Sequence, residues 1–265
     1  MPHSEIPREA LTRYNQLIRG VSETANATLR GQMAASPPVT VTDLRKQLST
    51  ALRAADSAAS EVDRQFYQGA RRYVTGSELR SIDRDATHNW DEAYLERVLR
   101  NMAYQHGTYD PATDAMQIDN QAAFMDDLDN FVGRMVNDAS KSRMYDYGTR
   151  DPLKPKFARV PSGAETCAWC LAIAGLGFRF KSADTALHSH AHCDCVAVPS
   201  WGGSGVQGYA PKEYADKYNS ARDDWREGNV PKELKERIYR ERSEKPDFDE
   251  FKTVLAVMRW KYGYT

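Results

Sequence analysis

The sequence predicts a mainly α-helical protein that carries a small α+β module, rich in cysteine and histidine and suited to bind zinc, in its C-terminal half. Two observations support this fold class. Apolar residues recur at helical intervals through most of the chain, and all four cysteines lie between Cys167 and Cys195. We therefore predict a helical N-terminal domain over 1–145, a Cys/His module over 146–205 and a C-terminal helical segment over 206–265.

The overall charge excludes two classes of function. The 265 residues include 36 Lys+Arg and 37 Asp+Glu, for a net charge of −1. A balance this close to zero argues against a general nucleic-acid coat and against a polybasic membrane binder. No apolar run approaches the roughly 18 residues of a membrane span, and no signal-peptide stretch opens the chain. We expect a protein that is made in a cytoplasm and does not bind membranes.

The N-terminal domain is predicted as a series of helices. The first begins near Pro7 with Ser4 as its cap, and the pair Pro37 and Pro38 interrupts the pattern. A second helix is expected to start after Thr42. Two more helices are predicted. One begins with a capping box at Asn89–Glu92 and ends at Gly107, and the other runs from Gln121 to Ser142.

The C-terminal half begins with shorter predicted elements than the N-terminal domain. Short strands are predicted near 157–160, 178–180 and 195–198, with a short helix over 166–174. The Gly/Ser-rich segment 201–208 is expected to be a flexible loop or hinge. Three helices should follow it, and the sequence places their starts at Pro211, Pro231 and Asp247.

The cysteines fall into two pairs with metal-ligand spacing. Cys167 and Cys170 stand at i and i+3, and Cys193 and Cys195 stand at i and i+2. Each pair can present two sulfur atoms to the same side of a short segment, which is how structural zinc sites are usually built. His190 or His192 could replace one thiolate. We therefore predict a structural zinc ion whose ligands come from the four cysteines and, as the competing ligand, His190.

The same residues also fit functions that need no structural zinc. Reduced core cysteines without a metal remain an alternative, as does redox chemistry, although the βαβ context of a thioredoxin-like motif is missing. A zinc deaminase is disfavoured because Thr166, and not proline, precedes Cys167. A peptidase would pair a Cys or Ser nucleophile with a histidine in the 162–195 region. The candidate nucleophiles are Ser162, Cys167 and Cys170, and the candidate bases are His188, His190 and His192.

Around the cysteines the chain resembles the MuF-like minor head proteins of tailed phages, also called head-morphogenesis proteins, and most of all those of actinobacterial phages. That family carries C-x-x-C, then H-x-x-C-x-C, then a proline. The matching residues here are Cys167, Cys170, His190, Cys193, Cys195 and Pro199, with Arg159-Val160-Pro161 ahead of them. Many members have Pro and Arg where this chain has Ala191 and Asp194, so a contact from a basic residue at 194 does not carry over.

The resemblance implies a non-enzymatic function. It points to a minor capsid protein that acts in procapsid assembly near the portal, with packaging alongside the genome left open. Its implied location is the head interior of the virion, after a period in the host cytoplasm. Its implied partners are the portal protein and the major capsid or scaffold protein. Sequence-specific nucleic-acid binding is not expected, whereas contact with packaged DNA is left open. The alternative is a capsid maturation protease that uses the Cys/His or Ser/His pair described above.

Overall fold

The computed structural model describes residues 3–80, 82, 88, 90–162, 166–180 and 195–264. This part of the chain is mainly helical with a few short strands, as the sequence predicts. Its helices are α1 (Arg8–Ala35), α2 (Val41–Thr75), α3 (Glu92–His106), α4 (Gln121–Arg150), α5 (Ala168–Ala174), α6 (Pro211–Glu227), α7 (Lys232–Glu244) and α8 (Glu250–Tyr262). Its strands are β1 (Glu5–Ile6), β2 (Gly107–Asp110), β3 (Ala115–Ile118), β4 (Lys156–Pro161), β5 (Cys195–Ser200) and β6 (Gly205–Val206). Within the described ranges, no helix combines the length and apolar character needed to cross a bilayer.

The break between the first two helices is confirmed, and the caps differ from those predicted. Helix α1 begins behind Pro7 without a side-chain cap, so Ser4 is not its cap. Helix α2 starts two residues earlier than expected, because the Thr40 hydroxyl accepts a hydrogen bond from Asp43 N at 3.0 Å. A threonine hydroxyl satisfies a backbone N–H of the first turn that has no partner inside the helix.

Helix α3 is capped at its start by Asp91, whose carboxylate accepts from Ala93 N and Tyr94 N at 3.0 and 3.2 Å. The predicted cap, Asn89, lies outside the described residues.

Helix α3 ends at the predicted glycine, Gly107, for a reason that the sequence pattern does not show. After α3 the chain enters the antiparallel β2–β3 hairpin, which was not predicted. A Cβ atom at Gly107 would lie 1.9 Å from the carbonyl oxygen of Gln117 on the facing strand. Glycine is therefore required by the close backbone approach.

Helix α4 is longer than predicted and continues past 145/146, the expected boundary between the first two regions. The predicted end at Ser142 is wrong, since the helix runs to Arg150. Its last turns bury large side chains, and these are Met144, Tyr145 and Tyr147. Burial of those side chains stabilises the last turns of the helix, which their polar neighbours would not hold in a helix without this packing.

Two apolar cores divide the Cys/His module between them. The first core holds the buried faces of α1–α4 together with β4, β5, Trp201 and Val206. The second core joins α5 to the C-terminal helices α6–α8. The strands predicted near 157–160 and 195–198 and the short helix are present, but the strands belong to the first core and the helix to the second. The strand predicted at 178–180 is wrong, since Phe180 forms an isolated bridge with Phe157 there.

The Gly/Ser-rich segment 201–208 is anchored, so the prediction of a flexible loop is wrong. Strand β6 pairs in parallel with β1, with Glu5 opposite Gly205. Trp201 and Val206 are buried in the first core. The Ser204 hydroxyl lies 3.1 Å from Trp201 N, which donates to it. Burial of one tryptophan and one valine offsets the entropy that a glycine-rich segment loses on ordering.

The C-terminal helices start close to where the sequence predicts. Helix α8 is capped by Asp249, whose carboxylate accepts from Lys252 N at 2.9 Å. The expected start at Asp247 is therefore two residues early, and Asp247 instead forms an ion pair with the Lys252 side chain. The buried residues of α8 include Val254, Leu255 and Val257.

Candidate metal centre

Three of the four cysteines converge at the junction between the two cores. Cys167 is the residue before α5, and its sulfur accepts from Cys170 N at 3.3 Å. Cys170 lies in the first turn of α5, and Cys195 is the first residue of β5. We call Cys167, Cys170 and Cys195 the cysteine cluster.

Two sulfur atoms of the cysteine cluster lie close together without forming a disulfide bond. Cys170 Sγ and Cys195 Sγ are 3.2 Å apart. A disulfide bond is about 2.05 Å long, and two thiolates on one tetrahedral zinc are about 3.8 Å apart, given Zn–S distances of about 2.3 Å. All three cysteines are buried, with exposed fractions of 8% for Cys167, 0% for Cys170 and 3% for Cys195.

The remaining predicted ligands, His190 and Cys193, lie outside the described residues. The structure thus brings together three of the five candidates and does not test the other two. Among the residues that it does describe, no group of three or more His, Cys, Asp or Glu side chains is arranged as a metal site. The zinc ion and its ligand set stay predictions.

An arginine that sequence reasoning did not count as a site residue lies against the cysteine cluster. Arg159, on β4, is completely buried. Its guanidinium donates to Cys195 Sγ from Nε at 3.1 Å and from Nη2 at 2.7 Å. It also lies over the Trp169 ring, 5.3 Å from the centroid. A signal was present in the sequence, because Arg159 is the only charged residue in the strand pattern 157–160.

The surroundings of this arginine are shielded from solvent. Tyr145, on α4, is 1% exposed, and its ring lies 4.6 Å from that of Phe157 on β4. Burial raises the pKa of the Tyr145 hydroxyl well above its ordinary value, and the charge of Arg159 opposes that shift. Charges interact more strongly in such a place than at the surface, so Arg159 would stabilise a thiolate at Cys195.

The cysteine cluster also connects the two cores. Helix α5 contributes Ala168, Leu171 and Ala172 to the second core. Strand β5, which begins at Cys195, and its partner strand β4 belong to the first core. A covalent or metal link between Cys170 and Cys195 would therefore join the helical half of the chain to α6–α8.

The described geometry gives no support to the peptidase hypothesis. Ser162 is 8% exposed, and the three thiols of the cysteine cluster are buried as well. A polypeptide substrate must reach its nucleophile. The candidate bases His188, His190 and His192 lie outside the described residues.

Comparison with known proteins finds a family model and one relative, which is a phage protein. A family model described as "VG15 protein" matches residues 5–221, a range that runs from β1 to α6 and includes the cysteine cluster. The "Gene 15 protein" of Mycobacterium phage D29 is 27% identical over 199 residues, which is 60% of this chain and 68% of that protein. No solved structure matches. The sequence predicts a phage protein, and the relative found is a phage protein.

Proposed function

Because the family model covers most of its length, the chain belongs to the VG15 protein family, and we propose that it is a minor capsid protein that acts in head morphogenesis of a tailed phage. The match over residues 5–221, together with a relative from a mycobacteriophage, carries this proposal. The MuF-like pattern of cysteines and histidines supports the more specific assignment to the head.

The proposed partners are the portal protein and the major capsid or scaffold protein, and the proposed location is the portal-proximal interior of the head. Exposed large apolar side chains of the described residues are spread over several elements and do not by themselves mark a partner surface. They are Leu17, Val39, Tyr104, Leu153, Leu176, Tyr239 and Trp260. With a net charge of −1, the chain has no overall attraction to packaged DNA.

Quantitative mass spectrometry of purified procapsids and mature virions of the encoding phage tests the proposal. We expect the protein in both particles, at a copy number far below that of the major capsid protein, and cross-linked to the portal. Procapsids assembled without its gene should be malformed or fewer. Absence of the protein from both particles would contradict the proposed function.

We also propose a structural zinc ion at the cysteine cluster. Cys167, Cys170 and Cys195 would supply three thiolates, and Cys193 or His190 would supply the fourth ligand. Two observations fit: the i, i+3 pair at the start of α5 and the burial of all three side chains. Cys195 Sγ also lies beside Cys170 Sγ, at 3.2 Å, and the two sulfur atoms would need to separate to about 3.8 Å to share one zinc ion. A closed set of four protein ligands would leave no open position for water, which suits a structural role and not a catalytic one.

Elemental analysis of purified, tag-free protein tests the zinc proposal. About one zinc per chain is expected for the wild type, and substantially less for Cys170→Ser and Cys195→Ser. Asp63→Asn is the matched control, because Asp63 is a buried residue of the helical half, bonded to Tyr14 and Arg143. It should lower stability and retain zinc. A wild-type protein without near-stoichiometric metal would exclude this part of the proposal.

Co-expression with the major capsid protein distinguishes the proposed function from capsid processing. We expect the capsid protein to keep its full length. Cleavage that disappears in Cys167→Ala or His190→Ala, and that persists in variants elsewhere, would overturn the assignment in favour of a peptidase.

A further inference from the structure

We propose that Arg159 is a positioning residue of the zinc site, which holds the Cys195 sulfur in place and offsets negative charge without contacting the metal. This inference rests on the proposed zinc ion. The observation that carries it is the two-pronged contact from Arg159 Nε and Nη2 to Cys195 Sγ, at 3.1 and 2.7 Å.

Strand register explains how this contact arises. In the antiparallel β4–β5 pair, Cys195 lies opposite Pro161, and Arg159 lies opposite Ala197. Arg159 and Pro161 are two residues apart, so their side chains point to the same face of the ladder. Arg159 is therefore the diagonal neighbour of Cys195, a separation that a long side chain can bridge.

The arginine is held from a second side by Trp169. Its guanidinium lies 5.3 Å from the centre of that ring, and Trp169 stands between Cys167 and Cys170 at the start of α5. Arg159 thus contacts one candidate ligand, Cys195, directly. Through Trp169 it also contacts the segment that carries the other two cysteines of the cluster. The planar guanidinium can stack on the ring and direct two N–H groups at the same sulfur atom at once, which a lysine ammonium cannot do.

Charge provides the reason for a buried cation here. A zinc ion with three thiolates has a net charge of about −1, and with four thiolates about −2. Burying that charge is costly unless a positive group lies beside it. Arg159 is completely buried and in contact with Cys195, so it supplies the positive group. Hydrogen-bond partners of metal ligands typically change metal affinity by about 10- to 100-fold when they are removed.

Zinc affinity of purified full-length variants, measured by competition with a chromophoric chelator, tests this inference. Arg159→Met should bind zinc about 10- to 100-fold more weakly than the wild type. Arg159→Lys, which keeps the charge but loses the two-pronged contact, should lie between them. A wild type that binds no zinc would refute the proposed zinc ion itself, whereas a zinc-binding wild type with unaffected Arg159 variants refutes this inference alone.

Arg143→Lys is the matched control. Arg143 is as deeply buried as Arg159, but it donates to Asp56 and Asp63 in the helical half. The control should reduce the free energy of unfolding and leave zinc affinity unchanged. If it weakens zinc binding as much as Arg159→Lys does, Arg159 acts only through general stability and the inference is wrong.

A second measurement, by NMR, uses only the wild-type protein and so does not depend on a variant that folds. In wild-type protein loaded with ¹¹³Cd, an N–H···S–Cd contact should give a correlation between the metal and an arginine Nε–H. Cadmium that is bound stoichiometrically without any such correlation would contradict the inference. In the same sample, a correlation to arginine supports it even if both Arg159 variants fail to fold.

Discussion

Trp201 donates its indole N–H to the Asp151 carboxylate, with Nε1 and Oδ2 2.9 Å apart. Asp151 directly follows α4, and Trp201 directly follows β5, so this bond ties the end of α4 to the strand that carries Cys195. The same carboxylate accepts from Tyr67 and Arg71 on α2, at 3.0 and 2.8 Å. One fully buried carboxylate thus connects three elements around the first core.

Asp151→Asn should destabilise the protein by about 3–5 kcal/mol, because it leaves the buried guanidinium of Arg71 without its anion. The measurement is the free energy of unfolding in urea. Asp129→Asn is the control, since Asp129 pairs with the largely exposed Arg30. That surface pair should contribute less than about 1 kcal/mol. Similar losses in the two variants would contradict the role given to Asp151.

The stabilisation from Asp151 should depend on pH. Burial alone would raise the pKa of Asp151, but hydrogen bonds from Arg71, Leu153 N and Trp201 outweigh it and hold the pKa below its ordinary value. A depressed pKa stabilises the folded state above the pKa of the unfolded chain, about 3.9. The contribution is lost as the pH falls through the folded value. The difference in unfolding free energy between wild type and Asp151→Asn should therefore be constant near neutrality and shrink below about pH 4. A difference that grows on acidification would be inconsistent with this sign.

Tyr14→Phe should cost about 1.5–3 kcal/mol, the usual range for a hydrogen bond to a charged group. The Tyr14 hydroxyl donates to Asp63 Oδ1 at 2.6 Å in the core between α1 and α2. Asp63 would keep its bond from Arg143 but lose one of its donors. Tyr104→Phe, at a side chain 55% exposed, should change the free energy of unfolding by less than about 0.5 kcal/mol. Thermal or urea unfolding of both variants checks the difference.

Two glycines of α4 should respond to alanine in opposite directions. A Cβ at Gly148 would lie 2.5 Å from the ring of Phe157, which is itself packed against Tyr145. Gly148→Ala should therefore cost about 1–3 kcal/mol through overpacking. A Cβ at Gly133 meets nothing within 4 Å. Gly133→Ala should stabilise the helix by up to about 1 kcal/mol. Equal effects on the two melting temperatures would show that β4 does not pack against α4 as described.

Removal of the proposed zinc should loosen the second core before the first. The cysteine cluster joins α5 to β5, while the first core also has the Asp151 connections. We expect a chelator to increase hydrogen exchange in α5 and α6–α8 more than in α1–α4, as measured by mass spectrometry. Uniform protection with and without chelator would mean that the cluster does not connect the cores.

Much of the helical architecture is predictable because it is encoded locally. Pro37 and Pro38 end the first helix wherever the rest of the chain lies, since a proline ring cannot donate a helix hydrogen bond. Gly107 likewise ends α3 as predicted. The hairpin that follows was missed, because Gly107 and Gln117 approach each other only after the two strands pair.

The sequence by itself determined the class of fold, the order of helices and the grouping of the cysteines into pairs with ligand spacing. Only the tertiary structure decided that Cys170 and Cys195 meet between two cores, that segment 201–208 is anchored by Trp201, and that Arg159 donates to Cys195. The physical reason is range: helix periodicity and turn chemistry act over a few residues, whereas these contacts join residues 25 to 50 positions apart in the chain. Such contacts are selected by burial and strand register, which no local pattern specifies.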